Sequence, residues 1–462
     1  MYGGYYKIKW FSVTCLVICF FIPIDASLVF AKDESLDALR CDLATCIQVA
    51  LTRHPDLQAA AAKKLAAQSK IDFEKTQWRP HLDFKGETGF LNGESVTPFS
   101  VIGGVTEEGI RQREVSGGYY AGTFSLSVPI VREGKILGWN SPSIQQARFS
   151  LTAEESHQRT RREQIIHDVT AAFINVLKAS ELVKENEQLI KLTEPQYQLA
   201  LAKFRENLVS RNELLVVEVQ LAKAKRELVV AKNGMARAQR ELTKSMGLDA
   251  PTRVEILDTQ ALPSAVTPLP PMEDLLSFAF QHRPEVQAQE AQIQAKTEEV
   301  KRAQGQRFPT VELVAEYSLA NAFDPPVSTQ WRTVAQVTGS LFDFGRNAQK
   351  VTLARAVMTQ EVKKMDSVKA AIAGEVQDAY THITDTVAQI DLLEKQIEQA
   401  TEALKLNRAM FRQQLLPESA VAEVEQALVK LEQAKVLANY DLILGHSQLA
   451  LVTGGWQNKR PE

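Results

Sequence analysis

The sequence predicts a mainly α-helical chain that carries four amphipathic strands suited to a membrane, with every element present twice. Three observations predict it: long stretches with apolar residues at alternating spacings of three and four, four shorter runs in which apolar and polar residues alternate, and local patterns that recur at a nearly fixed offset. The 462 residues are 45% hydrophobic and 24% charged, which excludes wholesale disorder. A formal charge of -3, from 53 Lys plus Arg against 56 Asp plus Glu, supplies no basic field for nucleic acid.

The first element is an export signal. Lys7 and Lys9 precede an apolar run over 10–24 that Pro23 and Asp25 cut short of a comfortable bilayer span. Residues 1–31 therefore read as a signal peptide, cleaved after Ala31 or after Ala26; the other reading is an uncleaved anchor. No lipobox-like small residue precedes Cys15 or Cys19, and removal of residues 1–31 leaves a net charge of -4. Nothing later approaches about 18 consecutive apolar residues, so the processed chain is either a soluble exported protein or a β-barrel protein. Cys41 and Cys46 are the cysteines that remain. Five residues apart on one helix, their Cα atoms would lie about 8–9 Å apart, too far for a disulfide. A bond requires Cys41 to precede the helix; otherwise Cys46 is a buried free thiol.

The duplication comes next. His54-Pro55-Asp56-Leu57 recurs as Arg283-Pro284-Glu285-Val286, and the same offset of 229 carries Pro80 onto Pro309. Gly134-Lys135 matches Gly345-Arg346 at an offset of 211, and Phe204-Arg205 matches Phe411-Arg412 at 207, which persists to Gly247 and Gly454. The first copy, within 32–248, then holds 18 extra residues, expected in a long loop around 92–117; the second copy occupies 272–455. Residues 249–271, rich in proline, read as an extended linker, and 456–462 as a tail.

Among the helices, Val217, Leu221, Ala224, Leu228, Ala231, Met235, Ala238 and Leu242 form a heptad seam, and the second copy repeats it from Val421 to Val452 with Lys435 as the blemish. The preceding helix carries a similar seam through Val169, Phe173, Val176, Val183, Ile190, Tyr197 and Phe204. With Ser141-Pro142 as its start it would run about 65 residues, near 98 Å at 1.5 Å per residue. Pro195 predicts a kink that its counterpart Glu402 would not impose.

The strands are expected at about 81–91, 118–131, 310–320 and 331–342. Leu82, Phe84, Gly86, Thr88 and Phe90 alternate with His81, Asp83, Lys85 and Glu87, and the other three runs follow the same period of two. Each run is about ten residues, the length of a tilted transmembrane strand; a half-buried hairpin in a soluble domain would show the same pattern. Four strands cannot close a barrel, and a bilayer tolerates no open sheet edge. Strands that span a membrane must be pooled by several chains, eight from two or twelve from three.

In this order and in two copies, the helix starts at Pro55 and Pro284, the strand starts after Trp78-Arg79-Pro80 and Arg307-Phe308-Pro309, and the exit Leu341-Phe342-Asp343-Phe344-Gly345 resemble the TolC family of outer-membrane efflux proteins across nearly all of the processed chain. The resemblance implies a homotrimer: a twelve-stranded barrel, four strands per chain, in outer-membrane lipid, continued by a long periplasmic α-helical barrel. It implies an exit duct for a tripartite efflux pump or a type I secretion system, working with a periplasmic adaptor protein and an inner-membrane transporter. Its hairpin tips meet the adaptor, which places docking at Phe204, Asn207 and Leu208 and at Phe411, Gln414 and Leu415; Asn207 and Gln414 stand where the family carries glycine. It also places Glu213 and Glu423 among the acidic residues that ring a closed entrance. A soluble periplasmic coiled-coil adaptor is the competing reading, although such a protein normally has one helical hairpin rather than two. The seven histidines show no tight metal spacing, and the sequence carries no phosphate loop or nucleophile elbow, so neither cofactor nor enzymatic activity is expected.

Overall fold

The computed structural model describes residues 39–94, 114–248, 254–256, 269–322, 328–416 and 418–455. The signal peptide, the centre of the expected 92–117 loop, most of the 249–271 linker and the 456–462 tail lie outside the described residues. The first repeat runs β1 (Leu39–Cys41), α1 (Leu43–Arg53), α2 (Pro55–Thr76), β2 (His81–Glu94), β3 (Glu114–Arg132), β4 (Lys135–Ile136), α3 (Pro142–Arg205) and α4 (Arg211–Ser245). A short strand in the linker, β5 (Val254–Ile256), pairs in parallel with β1 and places Ile256 opposite Cys41. The second repeat runs α5 (Met272–His282), α6 (Pro284–Gly305), β6 (Thr310–Ala322), β7 (Ser328–Thr338), α7 (Arg346–Arg412) and α8 (Glu418–Thr453).

Proline sets the helix joints. The residue before a proline is driven out of the helical region, and proline itself suits the first helical position. His54 (ψ 124) and Arg283 (ψ 128) are extended accordingly, so α1 ends and α2 begins at Pro55, and α5 gives way to α6 at Pro284. His54 Nδ1 accepts the Asp56 N–H at 3.2 Å. Ser141 caps α3 by position alone: its hydroxyl pairs with that of Ser143 at 2.9 Å rather than with a backbone N–H.

The long helices are α3, with 64 residues, and α7, with 67, which at 1.5 Å per residue reach nearly 100 Å each. Helix α3 continues as one element through Pro195. In α4 the expected seam faces inward: Leu221, Ala224 and Leu242 are buried, whereas Val216, Val219, Val229 and Val230 on the flanks are exposed. Lys435, the break in the second seam, is neutralised by Glu394 at 2.8 Å. Two helical cores result. One joins Cys41, Cys46, Ile165, Phe173, Leu242 and Met246; the other joins Leu275, Val286, Ile383, Leu442 and Leu449.

Backbone conformation corrects the internal alignment. Gly134 turns the chain into β4, eight residues before α3, whereas Gly345 directly precedes α7. The residues that share Gly345's role are Leu137 (φ 48) and Gly138 (φ 73), which match Phe344 (φ 51) and Gly345 (φ 86). Their offset is 207, the same value that holds along the helices and that carries Val131 onto Thr338, so the residues by which the first repeat is longer all lie before the end of β3. A second correction concerns the last strand, expected to reach 342. It ends at Thr338, opposite Thr310, because β6 starts after Pro309 and offers no partner beyond that pair.

Candidate functional site

The sheet order is β2-β3-β6-β7, all antiparallel, and its register aligns side chains into rows across the strands. Phe84 lies opposite Phe124, Phe124 opposite Tyr317, and Tyr317 opposite Trp331, so one aromatic row crosses all four strands. All four are exposed, Trp331 at 78%, and the Phe84 and Phe124 rings approach to 4.8 Å. Next to them on the same face, Leu82 pairs with Leu126 and Leu126 with Ala315. Residues one step along point to the opposite face, because the side-chain period of a strand is two. There the row is Asp83, Ser125, Glu316 and Arg332, with Arg332 Nε donating to Glu316 Oε2 at 2.6 Å. The next polar row is Lys85, Thr123, Ser318 and Gln330.

Two features shape this sheet. Pro129, which cannot donate to a ladder, sits at the bulge in the β3–β6 register between Pro129 and Val131. The carbonyl of the bulged residue, Ile130, accepts instead from Leu137 N–H at 2.8 Å, which folds β4 back onto β3. The outer edges, on β2 and β7, have no strand beside them among the described residues.

Below the strands, the first repeat's hairpin is fastened to the second repeat. A Cβ on Gly305, at the end of α6, would lie 2.2 Å from the Glu133 carbonyl oxygen, so only glycine permits this approach. Arg302 Nε donates to Glu133 Oε1 at 2.9 Å, and Phe308 lies over Gly134. Farther along, Arg283 is 8% exposed and donates to Glu285 at 3.1 Å and to Glu375 of α7. Burial, reinforced by the Glu285 charge, pushes the carboxyl of Glu163 on α3 upward. The first repeat's counterpart is a more exposed pair of reversed polarity, Asp56 of α2 with Arg161 of α3. Between α3 and α8, His167 Nδ1 and Ser447 Oγ lie 3.3 Å apart, and burial lowers the pKa of both His167 and His446.

At the other end of the long helices, each hairpin turns through a left-handed residue, Asn207 (φ 59) and Gln414 (φ 58). Leu208 N–H returns to Lys203 O at 2.8 Å and Leu415 N–H to Met410 O at 2.9 Å, the six-to-one bond of a Schellman C-cap. The αL position explains why glycine would suit both sites. The caps leave Leu208 (73%) and Leu415 (68%) exposed, with Phe411 at 42% and Phe204 half-buried behind them. Glu213 lies in the first turn of α4, where its N–H donates to Ser210 Oγ at 3.2 Å, and its side chain is exposed. Glu423 is exposed in α8 and has no ion pair among the described residues. An ion pair that sequence reading missed stands nearby: Arg408 of α7 donates to Glu425 of α8 at 2.5 Å. Cys41 and Cys46 are both buried, in the reduced form in this structure.

The family model described as "Outer membrane efflux protein" matches residues 46–248 and 275–455, both repeats. The chain is 28% identical over 147 residues to the outer membrane protein OprJ of Pseudomonas aeruginosa, a match that spans 29% of each protein. Its fold is similar to that of CusC (TM-score 0.73, 16% identity, 92% of this chain and 96% of that one). It is also similar to the outer membrane channel CmeC of Campylobacter jejuni (TM-score 0.72, 14% identity, 92% of this chain and 90% of that one).

Proposed function

The chain belongs to the outer membrane efflux protein family, and from that premise we propose that three copies close one conduit, the exit duct of a tripartite export system. The observation that carries this reading is the sheet. One face bears a row of aromatics beside aliphatic residues, the other bears charged and hydroxyl residues, and neither edge has a partner strand among the described residues. In lipid an unpaired edge costs several kcal/mol per exposed backbone group. The direction of β7 lets it pair antiparallel with β2 of the next copy, and three such junctions give twelve strands with no edge left. The aromatic row then faces lipid, where Tyr and Trp favour the headgroup level. The Glu316–Arg332 row faces water in the lumen.

The helices continue this tube into the periplasm. The exposed valines on the flank of the α4 seam supply the second contact stripe that a helix in a closed ring needs, because each helix there has two neighbours. The tips dock a periplasmic adaptor through Leu208 and Leu415, with Phe204 and Phe411 behind them and Asn207 and Gln414 shaping the turn. An inner-membrane transporter supplies the cargo, and the duct itself carries out no covalent step. Glu213 in the first turn of α4 and Glu423 in the second turn of α8 lie just past the tips, where three copies of each would gather negative charge at the entrance, and the Arg408–Glu425 pair holds the second hairpin's ends together.

Single-channel recording tests the entrance. Glu423→Gln is expected to change conductance or block by divalent cations in planar bilayers, and an unchanged record would remove its role. The soluble adaptor reading gives way to the family match.

A further inference from the structure

We propose that Cys41 and Cys46 are joined on export as a disulfide that fixes the β1–β5 strand pair to the head of α1. Asp42 is the N-cap of α1, and its side chain accepts the Thr45 N–H at 2.9 Å. In such a cap the residue just before the N-cap and the fourth helical residue are brought side by side, the arrangement known as a hydrophobic staple. Those two positions here are Cys41 and Cys46. The extended conformation of Cys41, in β1, removes the helical separation that would keep the sulfurs apart. Both residues are wholly buried and belong to the same core.

The second repeat shows that packing alone does not call for cysteine. At the offset of 229 the same two positions are Pro270 and Leu275, neither of them a cysteine, with Leu275 in the second core. The first repeat has a different task, because Cys41 lies opposite Ile256 of the linker strand. A covalent staple there holds the inter-repeat connection against the helical body.

The bond forms by thiol–disulfide exchange with an exported dithiol-disulfide oxidase. One cysteine thiolate attacks the oxidant's disulfide and gives a mixed disulfide; the second thiolate displaces the oxidant's sulfur. Two electrons and two protons pass from Cys41 and Cys46 to the oxidant, which leaves as a dithiol. Burial pushes the Cys46 thiol up to about 12, so exchange belongs to the newly exported chain, before the core closes. The oxidising compartment is taken from the proposed function.

Both cysteines fall in one tryptic peptide, residues 41–53. Protein from membranes quenched in acid, denatured and alkylated without reductant should yield this peptide unalkylated and two hydrogen masses lighter than the dithiol. Prior reduction should add two alkyl groups. Two alkyl groups without prior reduction would overturn the proposal, whatever the protein's location. Reduction should also lower the melting temperature of the wild-type protein and leave that of a C41A/C46L variant unmoved; equal responses would contradict the fixing role. Membrane fractionation and oligomer mass, measured on the same sample, judge the duct reading separately.

Discussion

The two repeats have the same elements in the same order, yet they secure their ends differently. The second repeat secures its helix joint with a buried arginine, Arg283, shared between Glu285 and Glu375; the first uses the more exposed pair Asp56–Arg161. The first repeat adds the β3–β4 hairpin, which reaches across to Gly305 of the second, and no hairpin of this kind follows β7 among the described residues. At the tips, Arg408 and Glu425 clasp the second hairpin, while the residues 207 positions earlier are Leu201 and Glu218, which cannot pair. Duplication supplied the architecture, and later divergence placed the polar fastenings on one copy at a time. The difference teaches that pseudo-symmetric positions should respond unequally to mutation.

The largest inequality is expected at the ends of α2 and α6. Gly305→Val drives a side chain into the Glu133 backbone and should cost upwards of about 3 kcal/mol, seen as a loss of assembled protein on native gels. Thr76→Val, at the corresponding exposed site of the first repeat, should stay within about 0.5 kcal/mol. Comparable losses at both sites would break the asymmetry.

At the helix joints, Arg283→Met removes the buried charged donor to Glu285 and Glu375 and should cost about 2 kcal/mol in denaturant unfolding. Asp56→Asn removes only a partly exposed pair and should cost less than about 1 kcal/mol.

Acidification should weaken the contact between the repeats. His167 and His446 have folded-state pKa values below the ordinary histidine value, because burial disfavours their charged forms. Above about pH 6.5 both folded and unfolded states hold them neutral, so they contribute no pH dependence there. As pH falls below that value the unfolded chain takes up protons first, and stability declines down to the folded pKa. Melting temperature measured between pH 7.5 and pH 5 should fall less steeply in a His446→Leu variant.

The smallest effect belongs to the tips. Gln414→Gly removes a left-handed strain of about 1 kcal/mol and should raise local stability, read as slower hydrogen exchange at Leu415. Asn207→Gly should gain less, since asparagine tolerates this conformation.

Period and punctuation made most of the fold legible. The 3–4 seams of α4 and α8 were readable because burial follows that period, and the alternation of β2, β3 and β6 because successive side chains of a strand take opposite faces of the sheet. The α1–α2 and α5–α6 joints were visible as His54-Pro55 and Arg283-Pro284. The match of Gly134-Lys135 to Gly345-Arg346 misled because a second left-handed pair, Glu133-Gly134, stands shortly before Leu137-Gly138, and only the constant offset along the helices picks out the true counterpart. The end of β7 depended on where its partner begins, which alternation within one strand does not record. The Arg408–Glu425 pair was missed although it had a signal: opposite charges on the two helices that flank the Gln414 turn.

A duct requires several copies to pool their strands and so remove the exposed edges of β2 and β7. Native mass spectrometry of the protein extracted from outer membranes into mild detergent tests this most directly. A mass of three processed chains, retained until the sheet is unfolded, is the predicted result. A stable single chain released from the membrane with its sheet intact would contradict it.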